Sequence, residues 1–462
     1  MNETAQPTDQ TRKAKARPLV AIVGRANVGK SSLFNRIVGK RIAIVEDLPG
    51  TTRDRIYADT SWEGKDFTLI DTGGLEVRPS TAISQSIRDQ VRAAMAEADL
   101  IFFVVDAREG LNASDWDVAE SLRRSSTPVI LVANKADHPK YDPAAAEFNQ
   151  LGVGEPIPVS AHHGRNVQDL LDKAASVLPE CVEDEETSAF VKAAIVGRPN
   201  VGKSMLINAL LGEERSIVSE IPGTTRDSLD TLYCSGDQQA LLIDTAGIRR
   251  RGQVQAGIEY YSVLRTLRAI GRSDVALLVI DGSEGVTAQD LHVAGYIRDA
   301  YKGMILLVNK WDLVEEDAHE EISRRIEDKF RFVSYAPVMF VSAKLRQGLD
   351  SILKEAERIW KERQLVVSVE ELAAFLKKTL ERHAPPRSGT RLIKVYRLEQ
   401  TGIYPPTFSF SVNDPELVHF SYRRYLENSL RESFGFYGSP LLLQFIKRKR
   451  NYSRTKETVA GN

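Results

Sequence analysis

The 462-residue chain contains 42% hydrophobic and 27% charged residues, a composition typical of globular proteins with room for about three domains. No apolar run approaches the ~20 residues of a transmembrane helix, and residues 1–17 lack the apolar segment of a secretory signal, so we expect a disordered basic arm there. The two cysteines, Cys181 and Cys234, fit neither a disulfide framework nor a metal motif, which predicts a cytoplasmic protein without membrane attachment.

The net charge of −1 hides an uneven distribution along the chain. Residues 376–462 contain 16 Lys and Arg against 7 Asp and Glu, a net charge of +9, which leaves −10 for the rest. A basic C-terminal part on an acidic body predicts an anionic partner, most often nucleic acid. A solvated basic face without a partner is the simpler alternative.

In chain order, each half of the molecule alternates short apolar runs with helical stretches, the pattern of a parallel sheet covered on both faces by helices. The predicted buried strands of the first half are Leu19–Val23, Thr68–Ile70, Ile101–Val105 and Val129–Val132. Those of the second half are Ala193–Val196, Leu241–Ile243, Val275–Ile280 and Met304–Val308.

Five short motifs occur twice in the same order, which indicates a duplicated domain and not a solenoid. Three recur at an offset of 173 residues: Gly24-Arg-Ala-Asn-Val-Gly-Lys-Ser31 as Gly197-Arg-Pro-Asn-Val-Gly-Lys-Ser204, Pro49-Gly-Thr-Thr-Arg-Asp54 as Pro222-Gly-Thr-Thr-Arg-Asp227, and Asp71-Thr-Gly-Gly74 as Asp244-Thr-Ala-Gly247. Two more recur at offsets of 175 and 182: Asn134-Lys-Ala-Asp137 as Asn309-Lys-Trp-Asp312, and Ser160-Ala161 as Ser342-Ala343. The motifs follow predicted strands, where ligands bind in open α/β sheets.

A third unit follows the two copies. Its predicted helices are Val369–Leu380 and Tyr422–Ser433, and its predicted strands are Leu392–Leu398, Phe408–Val412 and Leu441–Ile446, which together predict a small α+β domain. We therefore divide the chain into the arm at 1–17, α/β domains at 18–178 and 190–363, an acidic linker at 179–189, the α+β domain at 364–450 and a basic tail at 451–462.

The Gly-x-x-x-x-Gly-Lys-Ser motif between a strand and a helix predicts a phosphate-binding loop in each copy. Backbone N–H groups and the helix N-terminus favour phosphate, and Lys30 and Lys203 would reach the β- and γ-phosphates. Asp71 and Asp244 end strands in the Asp-x-x-Gly pattern, whose carboxylate can hold Mg²⁺ through water and whose glycine amide can sense the γ-phosphate. The predicted Mg²⁺ ligands are Ser31, Thr52, Asp71, Ser204, Thr225 and Asp244.

The Asn-Lys-x-Asp motif selects the base. The carboxylate of Asp137 or Asp312 can accept hydrogen bonds from the guanine N1–H and N2 amine, and adenine offers no such donor pair, so ATP would be rejected. Asn134 and Asn309 would brace the loop, while the motif lysines lie along the base. The two Ser-Ala pairs would place backbone amides near the guanine O6.

A threonine between the phosphate loop and Asp-x-x-Gly can complete the Mg²⁺ shell only when γ-phosphate is present, which makes the segment a switch. We favour Thr52 and Thr225, and their neighbours Thr51 and Thr224 stay open. The residues predicted to contact nucleotide in the first copy are Gly24, Arg25, Ala26, Asn27, Val28, Gly29, Lys30, Ser31, Ser32, Asp71, Thr72, Gly73, Gly74, Asn134, Lys135, Asp137, Ser160 and Ala161. Those in the second copy are Gly197, Arg198, Pro199, Asn200, Val201, Gly202, Lys203, Ser204, Asp244, Thr245, Ala246, Gly247, Asn309, Lys310, Asp312, Ser342 and Ala343. The motifs predict that both copies bind and hydrolyse GTP.

These motifs in this order resemble the translation-factor-like GTPases, and two such domains followed by a small basic domain resemble the Der family, also called EngA. The resemblance covers nearly the whole chain beyond the arm. It implies a bacterial GTPase that assists assembly of the large (50S) ribosomal subunit, with a KH-like C-terminal domain facing ribosomal RNA and a domain arrangement controlled by nucleotide state. We also expect a monomer.

Leu75 and Ile248 stand where Ras-like enzymes keep a water-orienting glutamine, so hydrolysis needs another device. The resemblance implies that K⁺, bound by Asn27 in the first copy and Asn200 in the second, supplies the missing charge. Ala26 replaces the family's proline in the first copy only. The predicted catalytic residues are Lys30, Asn27 and Thr52, with Lys203, Asn200 and Thr225.

Gly435-Phe-Tyr-Gly438 superficially fits the Gly-x-x-Gly clamp of KH domains. It lies between a predicted helix and a predicted strand and lacks a basic residue, so we interpret it as a turn. Better candidates for phosphate contact are Arg423, Arg424, Lys447–Arg450 and Arg454. Tyr437 and Tyr452 offer faces for stacking on bases, with core or surface packing as the commoner alternative.

Two other functions fit parts of the sequence. A tRNA-modification GTPase would share the threonine-rich switch and the hydrophobic replacement, but such proteins carry one GTPase domain within a helical framework. In a nucleotide-binding module, one copy would hydrolyse GTP while the other only sensed it. Both copies retain every motif, so the sequence favours neither copy as inactive.

Overall fold

The computed structural model describes residues 17–39, 57–72, 91–92, 94–179, 190–212, 230–235, 238–243, 258–385, 387–388 and 391–448. Nearly all of the predicted arm and linker, and the whole basic tail, lie outside these ranges. The predicted site residues outside them are Thr52, Gly73, Gly74, Thr225, Asp244, Thr245, Ala246 and Gly247, together with Leu75 and Ile248.

The first α/β domain contains a six-stranded sheet in the order β2-β3-β1-β4-β5-β6, parallel except between β2 and β3. The strands are β1 Leu19–Val23, β2 Tyr57–Trp62, β3 Lys65–Asp71, β4 Leu100–Asp106, β5 Val129–Asn134 and β6 Ile157–Pro158. The helices are α1 Lys30–Val38, α2 Ala113–Arg123, α3 Asp142–Ala146 and α4 Val167–Val177. Strands β1 and β4 are buried throughout because apolar clusters cover both faces of the sheet. The four strands predicted for the first half are confirmed.

The second α/β domain repeats this arrangement in the order β12-β11-β10-β7-β9-β8, with only β8 and β9 antiparallel. Its strands are β7 Val191–Val196, β8 Thr231–Ser235, β9 Gln238–Ile243, β10 Val275–Asp281, β11 Gly303–Asn309 and β12 Val338–Phe340. Its helices are α5 Lys203–Leu211, α6 Ile258–Arg272, α7 Ala288–Asp299, α8 His319–Lys329 and α9 Ile352–Glu362. The predicted strands of the second half are likewise confirmed.

The parallel registers bring the motif residues to one edge of each sheet. Asp71, at the end of β3, lies beside Ile22 of β1. Asp106 pairs with Asn134 at the ends of β4 and β5, and the second copy pairs its equivalent residues in the same way. Because the carboxyl ends of parallel strands share this edge, motifs that are far apart in the sequence lie close together.

The C-terminal domain is α+β, as predicted. Its elements are α10 Val369–Arg382, β13 Arg387–Ser388, β14 Arg391–Leu392, β15 Val395–Ile403, β16 Pro406–Val412, α11 Phe420–Phe434 and β17 Leu442–Lys447. Strand β16 is central, antiparallel to β15 and parallel to β17. Phe408, Phe410 and Leu426 are fully buried in a core between the sheet and the two helices.

The prediction of one continuous strand over Leu392–Leu398 is wrong. Leu392 ends the short hairpin of β13 and β14, and β15 begins only at Val395. The Asn413 side chain explains the interruption, since its amide donates to the Leu392 carbonyl and its oxygen accepts from the Lys394 N–H, both at 2.9 Å. A side-chain amide thus replaces a strand partner at this point.

The first domain meets the second through helix α6. Leu264 and Leu267 of α6 form one buried apolar cluster with Leu19 and Ile70 of the first domain. The Glu97 carboxylate lies 3.2 Å from a guanidinium of the same helix. Within the described ranges, no helix combines the length and apolar character that crossing a bilayer requires.

Candidate nucleotide-binding sites and nucleic-acid surface

Each phosphate loop turns sharply between its strand and its helix. Gly24 has a φ of 150°, and a Cβ there would lie 2.3 Å from the carbonyl oxygen of Val104, so only glycine fits. The Lys30 ammonium donates to the carbonyl oxygens of Gly24 and Arg25, both at 2.8 Å. Lys203 makes the same two contacts in the second copy, at 2.7 and 2.6 Å. Both lysines therefore curl over their loops, where the phosphates of a nucleotide would lie.

An asparagine joins the phosphate loop to the base motifs. The Asn134 amide donates to the Val28 carbonyl at 2.9 Å, and its oxygen accepts from the Ala161 N–H at 3.0 Å. Asn309 makes the equivalent pair of contacts at the same distances. Three motifs thus form one hydrogen-bonded unit in each copy. The Ala161 N–H, which was predicted to lie near guanine O6, donates to Asn134 here. The contact of the Ser-Ala amides with guanine O6 therefore stays a prediction.

The carboxylate of each base motif is oriented by a serine hydroxyl. Ser160 Oγ donates to Asp137 Oδ1 at 2.6 Å, and Ser342 Oγ donates to Asp312 Oδ1 at 2.5 Å. The hydrogen bond from Ser160, with the nearby Arg108 charge adding to it, holds the pKa of Asp137 below its usual range. An ionised carboxylate of fixed orientation is the acceptor pair that guanine N1–H and the N2 amine require.

The motif lysines extend toward aspartates at the ends of the neighbouring strands. Lys135 Nζ lies 2.5 Å from Asp106 Oδ2, and Lys310 lies 2.5 Å from Asp281. Burial opposes ionisation of Asp281, but hydrogen bonds from Lys310 and Ser283 outweigh it and lower the pKa. The ion pairs fix the lysine stems beside the oriented carboxylates.

The oxygen donors at the end of β3 suit a Mg²⁺ ion. Asp71 is buried there, and the hydroxyl of its neighbour Thr72 donates to the Ile22 carbonyl. Ser31 lies exposed in the first turn of α1. Carboxylate and hydroxyl oxygens are hard ligands of the kind Mg²⁺ prefers, so these residues fit the ion. Bound there, Mg²⁺ would offset the negative charge of the β- and γ-phosphates.

The side chains of the phosphate-loop arginines bind acidic residues of the same domain. Arg25 lies 2.5 Å from Glu109 and 3.5 Å from the fully buried Asp115. Arg198 makes the same two ion pairs in the second copy, at 2.6 and 3.5 Å. Burial raises the pKa of Asp115 to about 6, although the Arg25 charge opposes this shift. These ion pairs tie each phosphate loop to the start of helix α2 or α7.

Sequence reasoning missed these acidic anchors, although a signal for them was present. Asp115 and Asp290 close capping boxes with Asn112 and Thr287 at the starts of α2 and α7. The two boxes recur at the same 175-residue offset as the Asn-Lys-x-Asp motifs. A repeated acidic N3 position in two helices would have indicated a shared role.

The Gly435–Gly438 segment is a turn, as predicted, and it attaches the C-terminal domain to the second α/β domain. The Gly438 N–H donates to the Tyr335 carbonyl at 3.1 Å, and the Gly438 carbonyl accepts from the Met304 N–H at 2.9 Å. The Phe436 N–H donates to Glu362 at 3.0 Å. These main-chain contacts occupy the segment that a KH clamp would offer to RNA.

A buried arginine lies in the same joint. Arg363 donates to the Tyr301 carbonyl at 2.9 Å and to Ser439 Oγ at 3.2 Å, and burial lowers its pKa. The Arg358 guanidinium stacks 4.2 Å from the Tyr437 ring centroid. Tyr437 therefore belongs to the packing between domains, and base stacking by this side chain is the weaker of the two alternatives.

Basic and aromatic side chains lie together elsewhere on the C-terminal domain. Arg423 stacks over Phe445 with 4.9 Å to the ring centroid, and Arg448 stacks over the exposed Tyr396 at 4.7 Å. Arg424 lies over Phe420 at 5.6 Å. The remaining predicted phosphate and stacking candidates, Lys449, Arg450, Tyr452 and Arg454, lie outside the described residues. Arginine and aromatic faces are the groups that contact single-stranded nucleic acid.

Two family models match the chain. The model described as "50S ribosome-binding GTPase" matches residues 19–135 and again residues 192–310. The model described as "KH-domain-like of EngA bacterial GTPase enzymes, C-terminal" matches residues 367–445. The matches lie within the two α/β domains and the α+β domain.

Curated relatives match over almost the full length of the chain. GTPase Der of Chloroflexus aggregans is 49% identical over 448 residues, which cover 95% of this chain and 100% of the relative. GTPase Der of Caldanaerobacter subterraneus subsp. tengcongensis is 50% identical over 437 residues, covering 94% and 99%. GTPase Der of Halalkalibacterium halodurans is 48% identical over 438 residues, covering 94% and 100%.

Proposed function

The chain belongs to the GTPase Der family, and on that premise we propose that it couples GTP hydrolysis to assembly of the large ribosomal subunit. It is a GTPase with two P-loop domains and a KH-like domain. The observation that carries the proposal is the duplicated pocket. In each copy an asparagine donates to the phosphate loop, and a serine hydroxyl orients the carboxylate of the Asn-Lys-x-Asp motif. The family description as a 50S ribosome-binding GTPase supports the choice of partner.

Both pockets would bind guanine nucleotide in the same way. Asp137 and Asp312 would accept hydrogen bonds from the N1–H and N2 amine of guanine. The lysine of each phosphate loop would exchange its hydrogen bonds to the two loop carbonyls for contacts with the β- and γ-phosphates. The fixed carboxylate rejects adenine because it would be left without donors.

For hydrolysis, we assign Lys30 and Lys203 to stabilise charge on the transferring phosphate. Asn27 and Asn200, both exposed with a φ of 65 and 66°, present their side chains at the tips of the phosphate loops. An amide oxygen there suits a K⁺ ion, which would supply positive charge beside the phosphates. Thr52 and Thr225 remain the proposed γ-phosphate-dependent Mg²⁺ ligands.

The arginine–aromatic surface of the C-terminal domain would contact ribosomal RNA. Its net charge and its paired Arg423–Phe445 and Arg448–Tyr396 side chains support this role. Because the Gly435–Gly438 turn contacts the second domain, the RNA contact would be made by this surface and not by a Gly-x-x-Gly clamp. We further propose a cytoplasmic monomer.

Sedimentation with purified ribosomal subunits tests the proposal. The full chain is mixed with large subunits in the presence of GDP, a non-hydrolysable GTP analogue or no nucleotide. We expect association that depends on the nucleotide and weakens steeply as salt rises. Replacing Arg423 and Arg448 by glutamine should weaken association without changing GTP binding. Equal sedimentation with and without large subunits in every nucleotide state would refute the ribosomal role.

A further inference from the structure

The two base pockets differ at one position beside the guanine-reading carboxylate. In the first copy the Arg108 guanidinium donates to Asp137 Oδ2. The equivalent position in the second copy is Ser283, because each residue follows its strand-end aspartate, Asp106 or Asp281, by two positions. The Ser283 hydroxyl instead donates to Asp281 Oδ1 at 2.6 Å. The duplication therefore provides a natural comparison of an arginine with a serine.

The carboxylates share one partner and differ in the other. Both accept a hydrogen bond from the serine of the Ser-Ala motif, at 2.6 Å for Asp137 and 2.5 Å for Asp312. Only Asp137 also forms an ion pair with an arginine. Among the residues that the structure describes, Asp312 forms no ion pair.

Arg108 lies at the rim of the pocket and not in the core. Its side chain is 52% exposed, whereas that of Asp137 is 18% exposed. Its guanidinium lies 5.8 Å from the centroid of the Tyr141 ring, and the Lys140 ammonium lies 5.0 Å from the same centroid. An arginine in this position can be replaced without removing buried packing.

We propose that Arg108 weakens guanine nucleotide binding at the first site by competing with the base for Asp137 Oδ2. The inference rests on the proposed reading of guanine by Asp137. Guanine N1–H and the N2 amine need both carboxylate oxygens, and Ser160 already donates to Oδ1, so a guanidinium on Oδ2 is a fourth donor to the same group. Its charge also reduces the negative potential that attracts the base edge.

The size of the effect follows from exposure. Half-exposed ion pairs are weak, so the expected change in affinity is about two- to fivefold. The second site, with serine at this position, is then occupied at lower nucleotide concentration than the first. Two sites that share their catalytic motifs would in this way fill over different but overlapping ranges of nucleotide concentration.

Exchanging the two residues tests the proposal in the full-length chain. Arg108→Ser is made beside Lys203→Ala, so that the first site dominates titration with fluorescent GDP. Ser283→Arg is made beside Lys30→Ala for the second site. We expect about two- to fivefold tighter binding for Arg108→Ser and a similar weakening for Ser283→Arg, with smaller differences at 0.5 M salt than at 0.05 M. Unchanged or weaker binding by Arg108→Ser overturns the proposal.

A double-mutant cycle shows whether Arg108 acts through the carboxylate. With Asp137→Asn, the amide can donate to the second carbonyl of xanthine, so xanthosine diphosphate becomes the probe. Arg108→Ser should then change affinity much less than it does beside Asp137. If Asp137→Asn leaves base preference unchanged, the proposed reading of guanine fails. If preference changes but Arg108→Ser does not tighten GDP binding, only the competition fails.

Discussion

The two α/β domains build the same pocket within different surroundings. Lys30 and Lys203 donate hydrogen bonds to equivalent carbonyls of their phosphate loops. Asn134 and Asn309 make equivalent contacts at equal distances. The pockets diverge at the rim, where the first has Arg108 on Asp137, the carboxylate predicted to bind the base. Groups at strand ends are fixed by sheet register, whereas the loop residues around them are free to differ in charge.

The domains also differ in how they join their neighbours. The second domain joins the C-terminal domain through main-chain hydrogen bonds, including one from Met304 at the start of β11. The first domain meets helix α6 of the second through side chains, with Leu264 and Leu267 against Leu19 and Ile70. Helix α6 follows the second Asp-x-x-Gly motif in the chain. If nucleotide state rearranges the domains, as we propose, the first domain should therefore move relative to the other two.

The largest expected effect is a loss of GDP affinity when the carboxylate predicted to select guanine is replaced in either copy. Asp137→Asn or Asp312→Asn replaces one of the two carboxylate acceptors by an amide donor, so affinity for GDP at the altered site should fall by about 10²- to 10⁴-fold and preference should shift toward xanthosine diphosphate. Competition binding with both nucleotides measures this. A site that kept its guanine preference after the substitution would not use the predicted carboxylate.

The next effect compares the phosphate loops. Lys30→Ala and Lys203→Ala each remove one ammonium, so each should lower GTP turnover at its own site by about 10²-fold and leave the other site active. Single-turnover hydrolysis of the two variants and of the double variant gives the contribution of each copy. If one single variant abolished all turnover, the copies would not be independent, and if neither lowered it, both loop assignments would be wrong.

A glycine pair tests the joint of the second and third domains. Gly438 has a φ of 66°, and a Cβ there would lie 2.4 Å from Ile359, so Gly438→Ala should destabilise the joint by about 2–4 kcal/mol. Gly285 has a φ of 74° but nothing within 4 Å of its Cβ position, so Gly285→Ala should cost only about 1 kcal/mol. Thermal unfolding compares them. Equal losses in Tm would mean that the close packing at Gly438 contributes nothing.

The smallest effect concerns the Asp115 anchor of the first phosphate loop. Burial raises its pKa to about 6, above the ~4 of an unfolded aspartate, so the folded state holds the proton more tightly. The stability that this carboxyl contributes is fully present below about pH 4 and is lost as pH rises through 6. Asp115→Asn should remove that loss, about 1–3 kcal/mol. The check is the difference in Tm between variant and parent at pH 4.5 to 7.5, which would be constant if Asp115 had an ordinary pKa.

The strands and phosphate loops were predictable because their signals are local. Buried parallel strands are continuous apolar runs, and the motifs directly follow them. The break before Val395 was not predictable, because it depends on the side chain of Asn413, which directly follows strand β16. The repeated N3 aspartates signalled a shared role for Asp115. Its pairing with Arg25, and that of Asp137 with Arg108, were not predictable, because charge pairing between segments far apart in the chain depends on distances that only the folded sheet sets. The attachment of the Gly435–Gly438 turn to the second domain was not predictable from the turn itself, because it depends on residues of that neighbouring domain.

Isothermal titration of the nucleotide-free full chain tests the central claim most directly, which is that each copy holds one guanine nucleotide through its own carboxylate. We predict a stoichiometry of two for GDP, a stoichiometry of one in either the Lys30→Ala or the Lys203→Ala variant, and no binding of ADP at the same concentrations. A stoichiometry below two in the unaltered chain, or ADP binding as tight as GDP binding, would contradict the account.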